Sequence, residues 1–367
     1  MNELNILRVG LASWLKELRS GLEPGRFRFC IDGGLVPVTG QLGLVSTCFA
    51  MRTAWCTGIW DEWPQSQREA CIKFVKSFQR EDGYFYDEWL VNNAKYTLKW
   101  YVKRLLGRVP KHAAGNLLKM NLRAETRQAT GILLMVGERP NFRLPVEVSS
   151  RHDMNGYIES LDFESPGSAG SHLSHALFGL IINRLYFNAP EQYLDAISSA
   201  LKFLETIRDK ETGTWYKGSP LDGEKLTGAM KILSGMQWIG NPYPDCAALI
   251  DFAIRQPCAE DGCEFLNQLF VIQQARKAVA EKYREEEIRS VALRAIELIS
   301  RFRKPDGGLS FFTKGAQHNY YNAKVSNGRF VGDLHGAAMM TWGLSLALEL
   351  LGDDRPVGSE CWRSYKP

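Results

Sequence analysis

The sequence predicts an all-α chain folded as an (α/α)6 toroid, six outer helices around six inner ones, in a single domain over residues 1–367. Three observations carry this. Apolar residues recur at helical spacing through most of the chain, and strand signals are scarce. A unit of amphipathic helix, glycine turn and aromatic or large apolar residue recurs along it. Between these units lie apolar stretches rich in alanine and glycine, the composition of helices buried on most sides.

Taken in order, Trp14-Leu-Lys-Glu-Leu18 leads into Pro24-Gly-Arg-Phe27, and the alternation from Arg26 to Cys30 reads as a short extended piece. Lys73 to Gln79 leads into Glu81-Asp-Gly-Tyr-Phe85. Residues 189–207 form an outer helix with Tyr193, Ile197, Ala200, Leu201 and Leu204 on one stripe and Pro190 at its start. It leads into Glu211-Thr-Gly-Thr-Trp215. Residues 284–302 lead likewise into Pro305-Asp-Gly-Gly-Leu309. The turn glycines fall at 25, 83, 213 and 307, where positive φ is needed. The two wide intervals each have room for one degenerate unit, which makes six. Inner helices are expected to start near Thr39, Ala124, Ser168, Lys225, Glu260 and Gly332. Residues 92–122 fit neither class and read as an extra helix pair capping the ring. The long connection 313–331 exceeds ordinary loops and reads as a lid over the mouth.

Composition narrows the function. With 45% hydrophobic and 23% charged residues and a net charge of +4, the chain is a globular one. It carries no block of basic charge that would call for nucleic acid or an anionic membrane. The eight cysteines are dispersed without a Cys-x-x-Cys pair, which suits a reducing compartment. The N-terminus lacks the apolar run of a signal peptide, and no stretch reads as a membrane span. A cytoplasmic protein with a small-molecule or glycan substrate in a central cavity is the expectation.

Several residue sets carry candidate chemistry. His172 and His175, three apart on an inner helix, share a face and can present two imidazoles to the cavity. With Tyr320, Tyr321 and Glu264 they make an acid–base set of the kind a carbohydrate-acting toroid uses. The bland alternative packs one histidine against a neighbouring carbonyl. Asp261 followed by Glu264 also reads as a helix cap, and Asp333 caps equally well. Arg123, Glu125 and Arg127 are read as a surface arrangement at an inner-helix start rather than as a lining of the mouth.

The helix–glycine–aromatic repeat resembles that of the prenyltransferase and squalene-cyclase family. Gly307-Gly308-Leu309, Gly332-Asp-Leu-His335 and Trp342-Gly-Leu-Ser-Leu346 are similar to the last repeat of protein prenyltransferase β subunits. The resemblance implies zinc held by Asp261, Cys263 and His335, and substrate contacts from Arg255, Asp333 and Trp342. It departs where that family grips a diphosphate: the matching positions here are Cys258, Glu264 and Leu226-Thr-Gly228, and only Arg255 is kept. The cyclase Asp-x-Asp-Asp acid is absent. The resemblance implies a divergent terpenoid cyclase or prenyltransferase-like enzyme. A carbohydrate- or glycoconjugate-acting lyase, epimerase or hydrolase is the first alternative, and a non-catalytic binding toroid the second. A deep aromatic funnel favours the isoprenoid, a shallow polar groove with several carboxylates and arginines favours the glycan, and a solid, plugged centre favours the binding toroid.

Overall fold

The computed structural model describes residues 3–19, 21–32, 42–92, 102, 117–240, 246–257, 259–321 and 323–367. Its helices are α1 (Glu3–Leu18), α2 (Gly43–Cys56), α3 (Ile59–Glu62), α4 (Gln65–Lys76), α5 (Glu88–Asn92), α6 (Leu117–Met135) and α7 (Arg151–Glu159). They continue as α8 (Pro166–Phe187), α9 (Gln192–Thr206), α10 (Asp222–Met236), α11 (Ala247–Ile254), α12 (Gly262–Arg276), α13 (Glu285–Phe302) and α14 (Leu334–Leu351). Six of them form a closed inner ring, in which α2 packs on α6, then α8, α10, α12 and α14 follow, and α14 packs on α2 again. Helices α1, α4, α7, α9, α11 and α13 alternate with these along the chain as the outer layer. The fold is the expected all-α toroid.

The repeat unit works through one local device. Gln79 bridges back to Phe85, Arg208 to Trp215 and Arg303 to Leu309, each across a tight turn. Gly83, Gly213 and Gly307 take the left-handed backbone of those turns, at φ 87°, 69° and 87°. Phe85, Trp215 and Leu309 are thereby driven into the core with no exposed surface. The two degenerate units end at α7 and α11. After α7 the plug is Phe163, 2% exposed.

Some boundaries differ from expectation. The second inner helix begins at Leu117, a full two turns before Ala124, so the end of the segment 92–122 belongs to the ring. Residues 93–101 and 103–116, the rest of the supposed extra helix pair, lie outside the described residues. Arg26 to Cys30 forms no strand, only an isolated bridge from Cys30 to Asp333. The strands described are β1 (Asn319–Tyr320) and β2 (Ala323–Lys324), an antiparallel hairpin in the long connection before α14. One helix, over Leu334–Asp354, is long and apolar enough to cross a membrane by length and composition, against the sequence expectation. Its apolar window is 89% buried inside the ring, because it is an inner helix.

Candidate active site

The ring encloses a cavity of about 250 Å³. All six inner helices contribute to its wall, the hairpin adds Tyr320 and Tyr321, and the chain's last residues add Tyr365. Three cations stand in that wall: Arg52 of α2, Arg127 of α6 and Lys231 of α10. Among the described residues none of the three pairs with a carboxylate, and no Asp or Glu side chain lines the cavity.

Arg52 and Arg127 are held by neutral groups. The Arg52 guanidinium lies 5.1 Å from the ring of Tyr365, 5.4 Å from Trp342 and 5.8 Å from Phe49. Its Nε is buried without a hydrogen-bond partner. Arg127 donates to the hydroxyls of Ser174 and Ser234, the latter at 3.0 Å, and faces Phe178 at 5.2 Å. Burial lowers Arg127 to about 10 and lowers Lys231 as well. Uncompensated buried charge of one sign is costly, and a ligand of opposite charge relieves it. The expected surface placement of Arg127 is therefore overturned.

The histidines divide. His175 lines the cavity, and burial, with Arg127 next, holds it neutral. His172 turns away: Arg123 Nη1 lies 3.0 Å from His172 Nδ1, and Arg123 also reaches Tyr157 at 3.2 Å and Glu147 at 2.7 Å. A guanidinium only donates, so Nδ1 accepts and the proton sits on Nε2. Burial and Arg123 lower His172 to about 4. It belongs to a polar network with Arg123, Tyr157 and Glu147, and the cavity wall carries only the second member of the pair. His335 supplies a second imidazole instead. Its ring is stacked between Phe311 at 4.5 Å and Phe49 at 4.8 Å, and Nδ1 meets Gln317 Oε1 at 2.7 Å. Burial, with Arg52 and Lys231 behind it, lowers His335 to about 3. With Nδ1–H spent on Gln317, Nε2 keeps a lone pair.

Tyr320 and Tyr321 join this wall as expected, with ring centroids 4.3 Å apart, and Tyr320 stands edge-on to His335 at 5.2 Å. Trp342 also lines the cavity. Glu264 and Arg255 do not. Both are exposed and line a separate groove of about 420 Å³, which meets the cavity only at Asn267. Glu264 Oε2 accepts from Glu260 N at 2.9 Å, so its carboxylate serves the start of α12 and is no partner for His175.

The zinc set implied by the resemblance does not assemble. Asp261 caps α12, its Oδ1 accepting from Cys263 N at 2.8 Å and Glu264 N at 3.0 Å. Burial raises the Cys263 thiol, which favours the protonated form. Among the described residues no three of His, Cys, Asp or Glu are grouped to hold a metal. The donor set does not fit zinc, and no step is routed through it. Asp333 is likewise no substrate contact. It is fully buried, caps α14 through Gly336 N at 2.8 Å, and accepts from Phe311 N at 2.8 Å and Gln317 N at 3.0 Å. It ties the long connection to the helix, and so places Gln317 against His335.

Arg52 and Lys231 escape the sequence reading, and Glu125, read as a surface residue, is buried at 3% exposure. The signal lay in composition: Arg52 and Lys231 are single charges inside the apolar runs Cys48-Phe-Ala-Met-Arg52 and Gly228-Ala-Met-Lys231. No protein-family model and no curated protein matches the chain. Among solved structures it is similar to a protein from Actinoplanes, with 14% identity and a TM-score of 0.43, covering 94% of this chain and 99% of that one. It is also similar to a possible member of the GH105 family from Salmonella enterica, with 13% identity and a TM-score of 0.39, covering 95% and 93%. At that distance neither likeness carries chemistry, and the function has to be read from the cavity itself.

Proposed function

We propose that the protein is a carbohydrate-acting toroid enzyme that takes an acidic sugar, a uronate, in its central cavity. The supporting observation is the wall with three unpaired cations and, among the described residues, no Asp or Glu side chain. Arg127 and Lys231 hold the sugar carboxylate, which withdraws charge from the adjacent carbon and makes its C–H acidic. The neutral His335, oriented by Gln317, offers Nε2 as proton acceptor. The phenols of Tyr320 and Tyr321 are raised by burial, stay protonated and are hydrogen-bond donors for the leaving oxygen.

This set favours elimination or epimerisation beside the carboxylate. Glycoside hydrolysis by the common route needs two carboxylates flanking the bond, roughly 5–9.5 Å apart, and among the described residues no Asp or Glu side chain stands in the cavity wall. An isoprenoid needs a deep aromatic funnel, whereas this cavity of about 250 Å³ sets Arg52, Arg127 and Lys231 among its aromatic side chains.

Ligand-induced thermal shifts test the reading. Galacturonate is expected to raise the melting temperature and galactose is not. Arg127→Met and Lys231→Met are each expected to weaken uronate binding about tenfold or more, the scale of one charge-assisted hydrogen bond. Stabilisation by inorganic pyrophosphate and by no uronate overturns the assignment in favour of diphosphate chemistry.

A further inference from the structure

We propose that the cavity holds a second anion subsite, centred on Arg52, and that the uronate it takes carries a sulfate ester besides its carboxylate. The inference rests on the uronate reading above and narrows its substrate class. Arg127 and Lys231 lie on the α6–α8–α10 side of the ring, where Arg127 donates to Ser174 and Ser234. In the closed inner ring α2 is the helix opposite α10, with two helices between them on either side. A carboxylate held by Lys231 therefore leaves Arg52 across the cavity without a counter-charge.

Arg52 is 7% exposed and forms no ion pair among the described residues. The rings of Phe49, Trp342 and Tyr365 offer its guanidinium their faces, which attract a cation but do not cancel it. Two neutral donors stand in the same arc of the wall. Trp342 Nε1 of α14 and Gln128 Nε2 of α6 are buried without a hydrogen-bond partner, as Arg52 Nε is, and α14 and α6 are the helices that flank α2. Folded proteins leave few buried polar groups unpaired, and here three share one stretch of one cavity. A guanidinium and an indole only donate, so the group that satisfies them is an acceptor, and beside Arg52 a negative one.

A sulfate ester fits that description. Its three terminal oxygens all accept, matching the three donors, and it stays ionised at any pH the protein meets. At about 250 Å³ the cavity is smaller than the roughly 300–1,000 Å³ of pockets for drug-sized ligands, so both charges belong to one sugar ring. In a uronate the carboxylate is borne on C5. C2 lies directly across the ring from it, with C3 beside C2, as α2 lies across from α10. A sulfate on C2 or C3 meets Arg52 while the carboxylate meets Lys231.

Calorimetric titration of the full chain with galacturonate, its 2-sulfate and its 3-sulfate tests the subsite. One ester is expected to bind wild type about tenfold more tightly than galacturonate, the scale of one charge-assisted contact. Arg52→Met is expected to bring ester and galacturonate level. Trp342→Phe, which keeps a ring and deletes the indole N–H, is expected to narrow the same ratio. Equal binding of galacturonate and both esters by wild type overturns the subsite and leaves the uronate reading standing. An ester preference that survives intact in both variants overturns the placement at Arg52. A preference for digalacturonate over both esters overturns the sulfate in favour of a second carboxylate. Binding of galactose 2-sulfate without binding of galacturonate removes the uronate reading and keeps the subsite, and binding of no acidic sugar removes both.

Discussion

At the scale of single residues, the ring holds several carboxyls out of water, and their burial has a measurable pH signature. Asp87 is 9% exposed and accepts from Leu44 N at 3.0 Å, at the entrance of α2. Burial raises it from 3.8 to about 6, although that hydrogen bond opposes the shift. The unfolded chain releases this proton near pH 4 and the folded chain near pH 6, so the group's contribution to stability is lost as pH rises between those values and stays lost above. Asp87→Asn keeps an oxygen for Leu44 N and removes the charge. Its unfolding free energy from urea titration is expected to match wild type at about pH 4 and to exceed it at about pH 7.5, by on the order of 2 kcal/mol. Equal free energies at both values would mean that Asp87 is not held out of water.

At the scale of elements, inner helices approach their neighbours through glycine. A Cβ on Gly336 would lie 2.1 Å from both Phe311 N and Ser310 C, atoms of the backbone that leads into the long connection. Gly228 of α10 meets Pro166 of α8 in the same way, at 2.7 Å. Alanine is a better helix former than glycine by about 1 kcal/mol. Contact with rigid backbone costs more than that, because overpacking moves whole segments. Gly336→Ala is therefore expected to destabilise the protein by several kcal/mol and to disturb Gln317 and His335 together. A melting temperature raised by this substitution would contradict the packing described.

At the scale of the whole molecule, the ring is closed and not an open solenoid. The Trp14 indole donates to Asp306 at 3.1 Å, Leu334 N donates to Phe29 O at 2.9 Å, and Gly10 lies against Gly307. The first repeat is thus one wall of the last. In an open array, removing a terminal repeat leaves the others folded. Here, removal of residues 1–32 is expected to expose the apolar faces around Leu309 and Leu334 and to leave no cooperative transition. Intact protein is expected to unfold in urea as one transition, seen alike by far-ultraviolet circular dichroism and tryptophan fluorescence. A truncated chain that retains a sharp transition would show the remaining five units to be self-sufficient.

The helical ring was legible in the sequence because its causes are local. Periodic apolar residues shape each outer helix, and Gly83, Gly213 and Gly307 mark turns that few other residues tolerate. Plugs such as Phe85 and Trp215 follow within two residues of those glycines. Tyr320, Tyr321, Trp342 and His175, singled out from the sequence, line the cavity. What no local pattern holds is the direction in which each inner helix faces. Successive residues turn by about 100°, so a small rotation of the helix decides which side chain meets the centre. That rotation is set by packing between helices, and it sends Arg127 inward and gives His172 to Arg123. Backbone demand is equally hidden. Asp261 and Asp333 carry the right chemistry for ligands, but the amides of α12 and α14 claim their oxygens first. The sequence by itself determined a six-fold helical ring, and only the tertiary structure decided that its centre is basic, because charge at the axis is a sum over six helices that local pattern never brings together.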